Sequence, residues 1–168
     1  MNKFANLFEA GAELGSLLQR LDPATVIIPI MPNGVPVALG IESVIGVREL
    51  VPLYVDRAET GVDPSYLGED IALRDRSVVL VDDGVETGTA AKACGAWLRE
   101  QGVTDLALVV PVCPKTSANA MQFIFDSIIT VNAPLGSQSL TWHYDNFDVI
   151  DVAAATELLA TRRHQLDQ

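Results

Sequence analysis

Short apolar runs alternate along this chain with longer stretches in which apolar residues recur every three or four positions. The apolar runs are rich in Val, Ile and Leu and predict strands at residues 26–31, 50–55, 77–81, 106–112 and 127–131. The longer stretches predict helices at residues 4–21, 35–45, 87–101, 116–125 and 152–163. Residues 57–75 are polar with interspersed Gly and Pro, which is typical of a loop.

The alternation of strands and helices predicts an α/β fold with a central, mainly parallel sheet of about five strands flanked by helices. Unbroken apolar strands suit such a sheet because helices cover both of its faces. Ligands in these folds bind outside the carboxyl ends of the strands. We therefore expect a site among the loops that open at Met31, Asp82 and Val112.

Size and charge limit the classes of partner. The 168 residues fit one domain, residues 1–168, and 49% of them are hydrophobic, enough for a packed core. The formal net charge of −11 would repel nucleic-acid phosphates and anionic lipid, so we expect neither nucleic acid nor membrane as a partner. No apolar run resembles a signal peptide or approaches the ~20 residues of a membrane span. A soluble cytoplasmic protein is the expectation.

Residues 78–90 carry the most informative motif. A buried strand delivers Asp82 and Asp83 to its carboxyl end, where the two side chains diverge and can bind different hydroxyl groups. The Thr-Gly-Thr sequence at 87–89 then opens a helix, and its N–H groups, hydroxyls and positive dipole end suit a phosphate. Acids for hydroxyls beside amides for a phosphate indicate a site for ribose 5-phosphate.

This motif resembles the phosphoribosyl-diphosphate (PRPP) signature of type I phosphoribosyltransferases. Both have a hydrophobic strand, two acids, three variable residues, Thr-Gly, and then small hydroxylated residues. Residues 31–38 resemble the turn and helix that bind pyrophosphate in that family. Residues 109–114 and 142–147 resemble later segments of bacterial predicted phosphoribosyltransferases. The resemblance covers residues 24–150.

The resemblance implies a fold, a reaction and a set of site residues. The implied reaction transfers the 5-phosphoribosyl group from PRPP to a nitrogenous base with release of pyrophosphate, in a cytoplasmic homodimer of nucleotide metabolism. Asp82 and Asp83 would be catalytic, stabilising positive charge on the ribose ring. The implied PRPP-binding residues are Gly84, Val85, Glu86, Thr87, Gly88 and Thr89 for the 5-phosphate, and Met31, Pro32, Asn33 and Gly34 for the pyrophosphate. Mg²⁺ would arrive bound to the substrate, with no metal ligand assigned to the protein.

The sequence departs from the family pattern in three places. Ala90 stands where the phosphate loop usually has its last hydroxyl, and residues 31–35 contain no Lys or Arg. Residues 57–76 are short for the mobile loop that closes over PRPP in the family. These departures leave open a second interpretation: a non-catalytic PRPP- or nucleotide-binding regulatory protein of the same fold.

A receiver domain of two-component signalling is a further alternative. Such domains also place paired acids after a strand, and Asp126 would then be the phosphate acceptor. That family needs a later active-site lysine, whereas no lysine follows Lys115. The Thr-Gly-Thr sequence would also go unexplained, so this alternative is disfavoured.

Several other side chains keep two interpretations. Glu86 is either a general base or a solvent-facing loop residue, and His143 is either a substrate contact or structural. Lys115 follows a strand end and could reach a ligand. Aromatic residues available to stack on the acceptor base are Trp142, Tyr144 and Phe147.

Overall fold

The computed structural model of the chain describes residues 2–58, 61–66 and 72–168. The helices are α1 (Leu7–Leu17), α2 (Gly34–Ile45), α3 (Thr89–Glu100), α4 (Lys115–Met121) and α5 (Val152–Leu166). The strands are β1 (Val26–Pro29), β2 (Leu53–Ala58), β3 (Gly61–Tyr66), β4 (Ser77–Val81), β5 (Asp105–Val112) and β6 (Ser127–Asn132). Residues 133–151, here called the late loop, join β6 to α5 and contain one 3₁₀ turn, Leu140–His143. No helix in the described part of the chain is long and apolar enough to cross a membrane.

A four-stranded parallel sheet in the order β1-β4-β5-β6 forms the centre of the fold. Alternate residues of its strands enter two cores, with Ile28, Leu80 and Leu108 on the side of α3, and Ile27, Val79 and Val109 on the side of α1 and α2. Both faces are covered, which is why these strands are unbroken apolar runs. The prediction of an α/β fold with a mainly parallel sheet flanked by helices is confirmed.

The segment predicted as a strand at residues 50–55 behaves differently from the other four. Among the described residues it makes two isolated parallel bridges, Leu50 with Ile27 of β1 and Leu53 with Ile30, the residue that follows β1. From Leu53 onward it belongs to β2, which pairs antiparallel with β3 in a separate two-stranded sheet. The fifth position of the central sheet is therefore occupied by an irregular edge rather than a full strand.

The prediction of a loop over residues 57–75 is wrong for residues 57–58, which end β2, and for residues 61–66, which form β3. A two-stranded ribbon outside the central sheet does not need the continuous apolar run that marks a buried strand, so its polar sequence gave no strand signal. Residues 59–60 and 67–71 of that predicted loop lie outside the described residues.

Helix ends differ from the predicted bounds for local reasons. Helix α1 begins late because the side chain of Asn6 caps it, accepting the N–H of Glu9 at 2.8 Å. Phe4, predicted to be helical, instead donates its N–H to the carbonyl of His143 at 2.8 Å and bridges to Tyr144. The amino-terminal segment is thereby attached to the late loop.

Helices α1 and α2 cross with their backbones in contact. A Cβ atom at Gly11 would overlap the carbonyl oxygen of Val37, and one at Gly40 would overlap that of Phe8. Only glycine allows so close an approach. The crossing matters for function because it fixes α2, whose first residue, Gly34, lies at the carboxyl edge of the sheet.

Helix α5 is attached to α2 by a buried ion pair. The Nε of Arg162 lies 2.6 Å from one carboxylate oxygen of Glu42, and its Nη2 lies 2.7 Å from the other. The same guanidinium donates to the carbonyl of Arg48 at 2.8 Å. Two parallel hydrogen bonds give this contact a fixed geometry, so α5 holds the end of the late loop in place.

Candidate functional site

A cleft of about 310 Å³ opens at the carboxyl end of β4. Its walls are residues 82–91 together with Leu140 and Phe147 of the late loop. The structure thus places the sequence-predicted residues Asp82, Asp83, Gly84, Val85, Glu86, Thr87, Gly88 and Thr89 around one space. The cleft lies where ligands of parallel α/β folds bind.

The two aspartates are half-buried and held in defined positions. One carboxylate oxygen of Asp82 accepts the N–H of Asp83 at 2.8 Å. The Oδ2 atom of Asp83 accepts a hydrogen bond from the Nδ2 of Asn33 at 3.2 Å. Both acids therefore enter the cleft with part of their hydrogen-bonding capacity already used to fix their orientation.

The turn of residues 31–34 stands beside the acids but does not line the cleft. Met31 and Pro32 are joined by a cis peptide bond, and Gly34 opens α2. A Cβ at Gly34 would lie 2.7 Å from the carbonyl oxygen of Val81, so this turn is pressed against the end of β4. The predicted pyrophosphate turn and the predicted catalytic acids are thus neighbours.

Asn33 makes two side-chain hydrogen bonds that the sequence did not reveal. Its Nδ2 donates to Asp83, and its Oδ1 accepts the N–H of Ile150 at 3.0 Å. The amide thereby connects the acid to the segment that leads into α5. The N–H groups of Gly34 and Val35 donate to the carbonyls of Ile30 and Pro32, so much of this turn's polar capacity is used inside the protein.

The turn of residues 84–88 shapes the floor of the cleft. Its Gly84 and Gly88 have φ angles of 147° and 86°, backbone conformations that favour glycine. The N–H of Val85 donates to the carbonyl of Val112 at 2.8 Å, which anchors the turn to the end of β5. The turn then opens α3, whose amino terminus is a favourable place for an anion.

Thr87 and Thr89 present their hydroxyls at the start of α3. The two Oγ1 atoms lie 3.1 Å apart and both side chains are exposed. Ala90 follows and also lines the cleft. Hydroxyls and helix-terminal N–H groups together can bind the oxygens of a phosphate.

Glu86 holds the late loop against the 84–88 turn. Its carboxylate accepts the N–H of Leu140 at 3.1 Å, and its carbonyl accepts the hydroxyls of Ser137 and Ser117 at 2.7 and 3.3 Å. A Cβ at Gly84 would lie 2.6 Å from the side chain of Leu140, so that side chain sits directly on the turn. Neither sequence interpretation of Glu86 anticipated this contact across 54 residues.

Three aromatic rings line up behind the acids. The rings of Phe4 and Tyr144 have centroids 5.3 Å apart, and those of Tyr144 and Phe147 are 4.9 Å apart. Only Phe147 lines the cleft, whereas Tyr144 is buried and Trp142 is 70% exposed. Of the three predicted stacking residues, Phe147 is therefore the one in position.

Tyr144 supports the backbone of the acid pair. Its hydroxyl donates to the carbonyl of Asp83 at 2.8 Å. Burial, followed by the negative charges of Asp83 and Asp82, holds the pKa of Tyr144 well above its ordinary value. The phenol therefore stays neutral and remains a donor.

Replacing Tyr144 with Phe should cost about 1 kcal/mol of stability near neutral pH, because the Asp83 carbonyl loses its donor. The pKa of Tyr144 is raised by folding, so the neutral phenol stabilises the fold fully below the unfolded pKa of about 10. That contribution is lost as pH rises towards the folded pKa. Urea unfolding between about pH 8 and 11 should show wild-type stability falling more steeply than that of Tyr144→Phe. Parallel curves would contradict this.

His143 lies outside the cleft, in a structural position. It is buried, and its Nδ1 atom lies 3.1 Å from the Nδ2 of Asn132. Asn132 also donates to the carbonyl of Asn2 at 2.9 Å, so the pair holds the amino-terminal segment. Burial lowers the pKa of His143, which keeps the ring neutral near pH 7. The interpretation of His143 as structural is the one that this placement favours.

Asp126 does not share a site with the paired acids. Asp126 directly precedes β6, whereas Asp82 directly follows β4. Because the strands are parallel, Asp126 lies at their amino ends and Asp82 at their carboxyl ends. The N–H of Leu106 and the guanidinium of Arg99 both bind its carboxylate and lower its pKa. The receiver-domain alternative required an acceptor next to the acid pair and is not supported.

The remaining candidates for site chemistry are clusters of metal-ligating side chains and the two cysteines. Among the described residues, no group of three or more His, Cys, Asp or Glu could hold a metal ion. Cys94 and Cys113 are buried, and burial raises the pKa of Cys113 to about 11. Its thiol is therefore protonated and unreactive near neutral pH.

The fold as a whole is similar to several solved structures. TT1426 from Thermus thermophilus matches with a TM-score of 0.78 over 94% of this chain and 97% of that chain, at 19% identity. A purine phosphoribosyltransferase from Pyrococcus horikoshii matches with a TM-score of 0.60 over 90% and 99%, at 18% identity. A hypoxanthine phosphoribosyltransferase from Staphylococcus aureus matches with a TM-score of 0.56 over 74% and 73%, at 16% identity.

The chain has a type I phosphoribosyltransferase-like fold. No protein-family model and no curated protein sequence matches it, so the likeness lies in three-dimensional structure. The fold that the sequence motif implied is thereby confirmed. In this phosphoribosyltransferase-like fold, the cleft at β4 joins the acid pair, the 84–88 turn and the late loop.

Proposed function

We propose that the protein transfers the 5-phosphoribosyl group of PRPP to a nitrogenous base and releases pyrophosphate. One observation carries the proposal: a single cleft joins two oriented carboxylates to a glycine turn that opens a helix with two threonine hydroxyls. The similarity of the fold to a purine and a hypoxanthine phosphoribosyltransferase supports it.

The proposed roles follow from charge. Departure of pyrophosphate leaves positive charge on the ribose ring, which the carboxylates of Asp82 and Asp83 would stabilise while they bind the ring hydroxyls. Asn33 would keep the Asp83 carboxylate in one orientation through their 3.2 Å hydrogen bond. The 84–88 turn and the first residues of α3 would hold the 5-phosphate.

The acceptor base would lie against the late loop. Phe147 lines the cleft and offers an aromatic face to a planar base, and Leu140 supplies an apolar wall. Because Glu86 binds Leu140 and Ser137, the wall is held at a fixed distance from the phosphate end. This spacing would place the attacking nitrogen near the sugar.

Mg²⁺ would enter with the diphosphate of PRPP. Mg²⁺ keeps several waters and is commonly bound by one or two carboxylates together with substrate phosphates. Asp82 and Asp83 are the carboxylates of the cleft that could contribute. The ion would neutralise the leaving pyrophosphate, which matters here because residues 31–35 carry no cation.

Removing Mg²⁺ should weaken PRPP binding much more than binding of a nucleoside 5-monophosphate. The diphosphate of PRPP would bind beside residues 31–35, which contain no Lys or Arg, in a protein of net charge −11. A nucleoside 5-monophosphate would need only the phosphate site at the 84–88 turn. Calorimetric titrations with excess Mg²⁺ and with EDTA check this. Equal PRPP affinity under both conditions would remove the argument for substrate-bound Mg²⁺.

The decisive experiment measures pyrophosphate release. The protein, PRPP and Mg²⁺ are incubated with adenine, guanine, hypoxanthine, xanthine, uracil or orotate in separate reactions. Release above the no-base control with one of them supports the enzyme. Calorimetric binding of PRPP is measured in parallel. This distinguishes a protein that binds PRPP without releasing pyrophosphate from one that does not bind PRPP.

A regulatory PRPP- or nucleotide-binding protein is the second candidate. Its supporting observations are that the described residues lining the cleft include no Lys or Arg, and that the amide of Asn33 is engaged by Asp83 and Ile150. Tight PRPP binding without pyrophosphate release on any base would favour it. For either candidate we propose a cytoplasmic homodimer in nucleotide metabolism, with the oligomeric state measured by sedimentation equilibrium.

A further inference from the structure

The cleft presents negative charge to a ligand that is itself negative. Asp82, Asp83 and Glu86 line it, and no Lys or Arg is found in its lining within residues 2–56 and 72–168. A phosphate bound only by backbone N–H groups and hydroxyls would experience the field of three carboxylates. A cation close to the 84–88 turn would change this balance.

Lys92 lies directly behind that turn. It is four residues after Gly88 and donates its own N–H to the Gly88 carbonyl at 2.8 Å, so both lie on one face of α3. Side chains of a helix lean towards its amino terminus. Accordingly, the Cε of Lys92 lies 3.7 Å from the position that a Cβ would take at Gly88. The ammonium is bonded to this Cε and so lies close to the turn, although Lys92 itself is not among the residues that line the cleft.

The charge of Lys92 is not balanced within the described part of the chain. Arg76, Arg99 and Arg162 each form an ion pair with a carboxylate, whereas no ion pair joins Lys92 to a described residue. Its ammonium also stands at the positive end of the α3 dipole, where a cation alone is unfavourable. An anion at the turn would compensate both the Lys92 ammonium and the positive end of the α3 dipole.

We propose that Lys92 is a binding residue for a phosphomonoester dianion and donates to an oxygen of the substrate's 5-phosphate. The inference rests on the proposed function and deepens it. Lys92 provides a positive charge that the described lining of the cleft lacks, and it substitutes for the hydroxyl that the family pattern expects at Ala90. Its half-buried stem holds the ammonium near the turn before the ligand arrives.

The test compares lysine variants by calorimetric titration with ribose 5-phosphate and with PRPP plus Mg²⁺. Lys92→Met should weaken both ligands by about 10- to 100-fold, the range for loss of a hydrogen bond to a charged group. Lys92→Arg keeps the charge and should recover most of the affinity. Lys3→Met removes the same charge from an exposed position outside the cleft and should leave affinity unchanged. Lys92→Gln should weaken both ligands to the same extent as Lys92→Met, and it replaces that variant if Lys92→Met does not fold.

The possible failures are distinguishable. Affinity of the uncharged Lys92 variants within about twofold of wild type would overturn the role of Lys92 while leaving the proposed function intact. Equal weakening by Lys3→Met would show a general field effect and would also overturn it. A folded wild type that binds neither ribose 5-phosphate nor PRPP would contradict the proposed function, and this inference with it.

Discussion

Replacing Asp82 and Asp83 together with Asn should slow pyrophosphate release by about two orders of magnitude, or about 2.7 kcal/mol in the activation barrier. The variant keeps the size of both side chains and an acceptor for Asn33, but removes two negative charges from the cleft. In the proposed reaction those charges would act on the cationic sugar of the transition state more than on the bound substrate. We therefore expect PRPP affinity to change by less than about tenfold.

The control for this experiment is Asp105→Asn. Asp105 is an exposed acid at the amino end of β5, the opposite edge of the sheet from the cleft. It changes the net charge without touching the site, so its rate should equal that of wild type. A double variant that turns over at the full wild-type rate would contradict the role assigned to the two acids. A wild type that binds PRPP and never releases pyrophosphate would favour the regulatory candidate.

Replacing Gly40 with Ala should destabilise the protein by about 3 kcal/mol. Alanine improves helix propensity by about 1 kcal/mol, but its Cβ would overlap the carbonyl oxygen of Phe8 and force α1 and α2 apart. A backbone atom cannot move aside as a flexible side chain can. Urea unfolding followed by circular dichroism measures the change.

The matched control is Gly136→Ala. Nothing lies within 4 Å of a Cβ built at Gly136, which is exposed in the late loop, so we expect no loss of stability there. A Gly40→Ala variant as stable as Gly136→Ala would show that the helix crossing is not closely packed. A destabilised but folded Gly40→Ala variant should also bind PRPP more weakly, because α2 begins beside the acids at Gly34.

The central sheet and the acid motif were predictable because their signals are local. β4 is an unbroken apolar strand buried on both faces, and the residues that follow it in sequence line the cleft. A site formed by one strand, one turn and one helix start can be recognised from contiguous sequence. The parallel arrangement then places that site at the carboxyl edge.

The contacts that hold the site together were not predictable because they join distant positions. Asn33 and Asp83 are separated by 50 residues, and Asn33 and Ile150 by 117. Asn, Glu and backbone N–H groups bond in many contexts, so neither residue type nor spacing signals these partners. The antiparallel ribbon of β2 and β3 was not predicted for a related reason. Its two strands pair with each other rather than with the buried central sheet.

The attachment of the late loop to Glu86 shows which residues of the loop could be varied without releasing it. The attachment uses the backbone N–H of Leu140 and the hydroxyl of Ser137, and it requires nothing of the exposed Gln138 and Trp142. A library that randomises positions 138 and 142 would vary the surface beside the anchored segment and leave its attachment points in place. The loop thus separates the residues that fix its position from residues that are free to diversify.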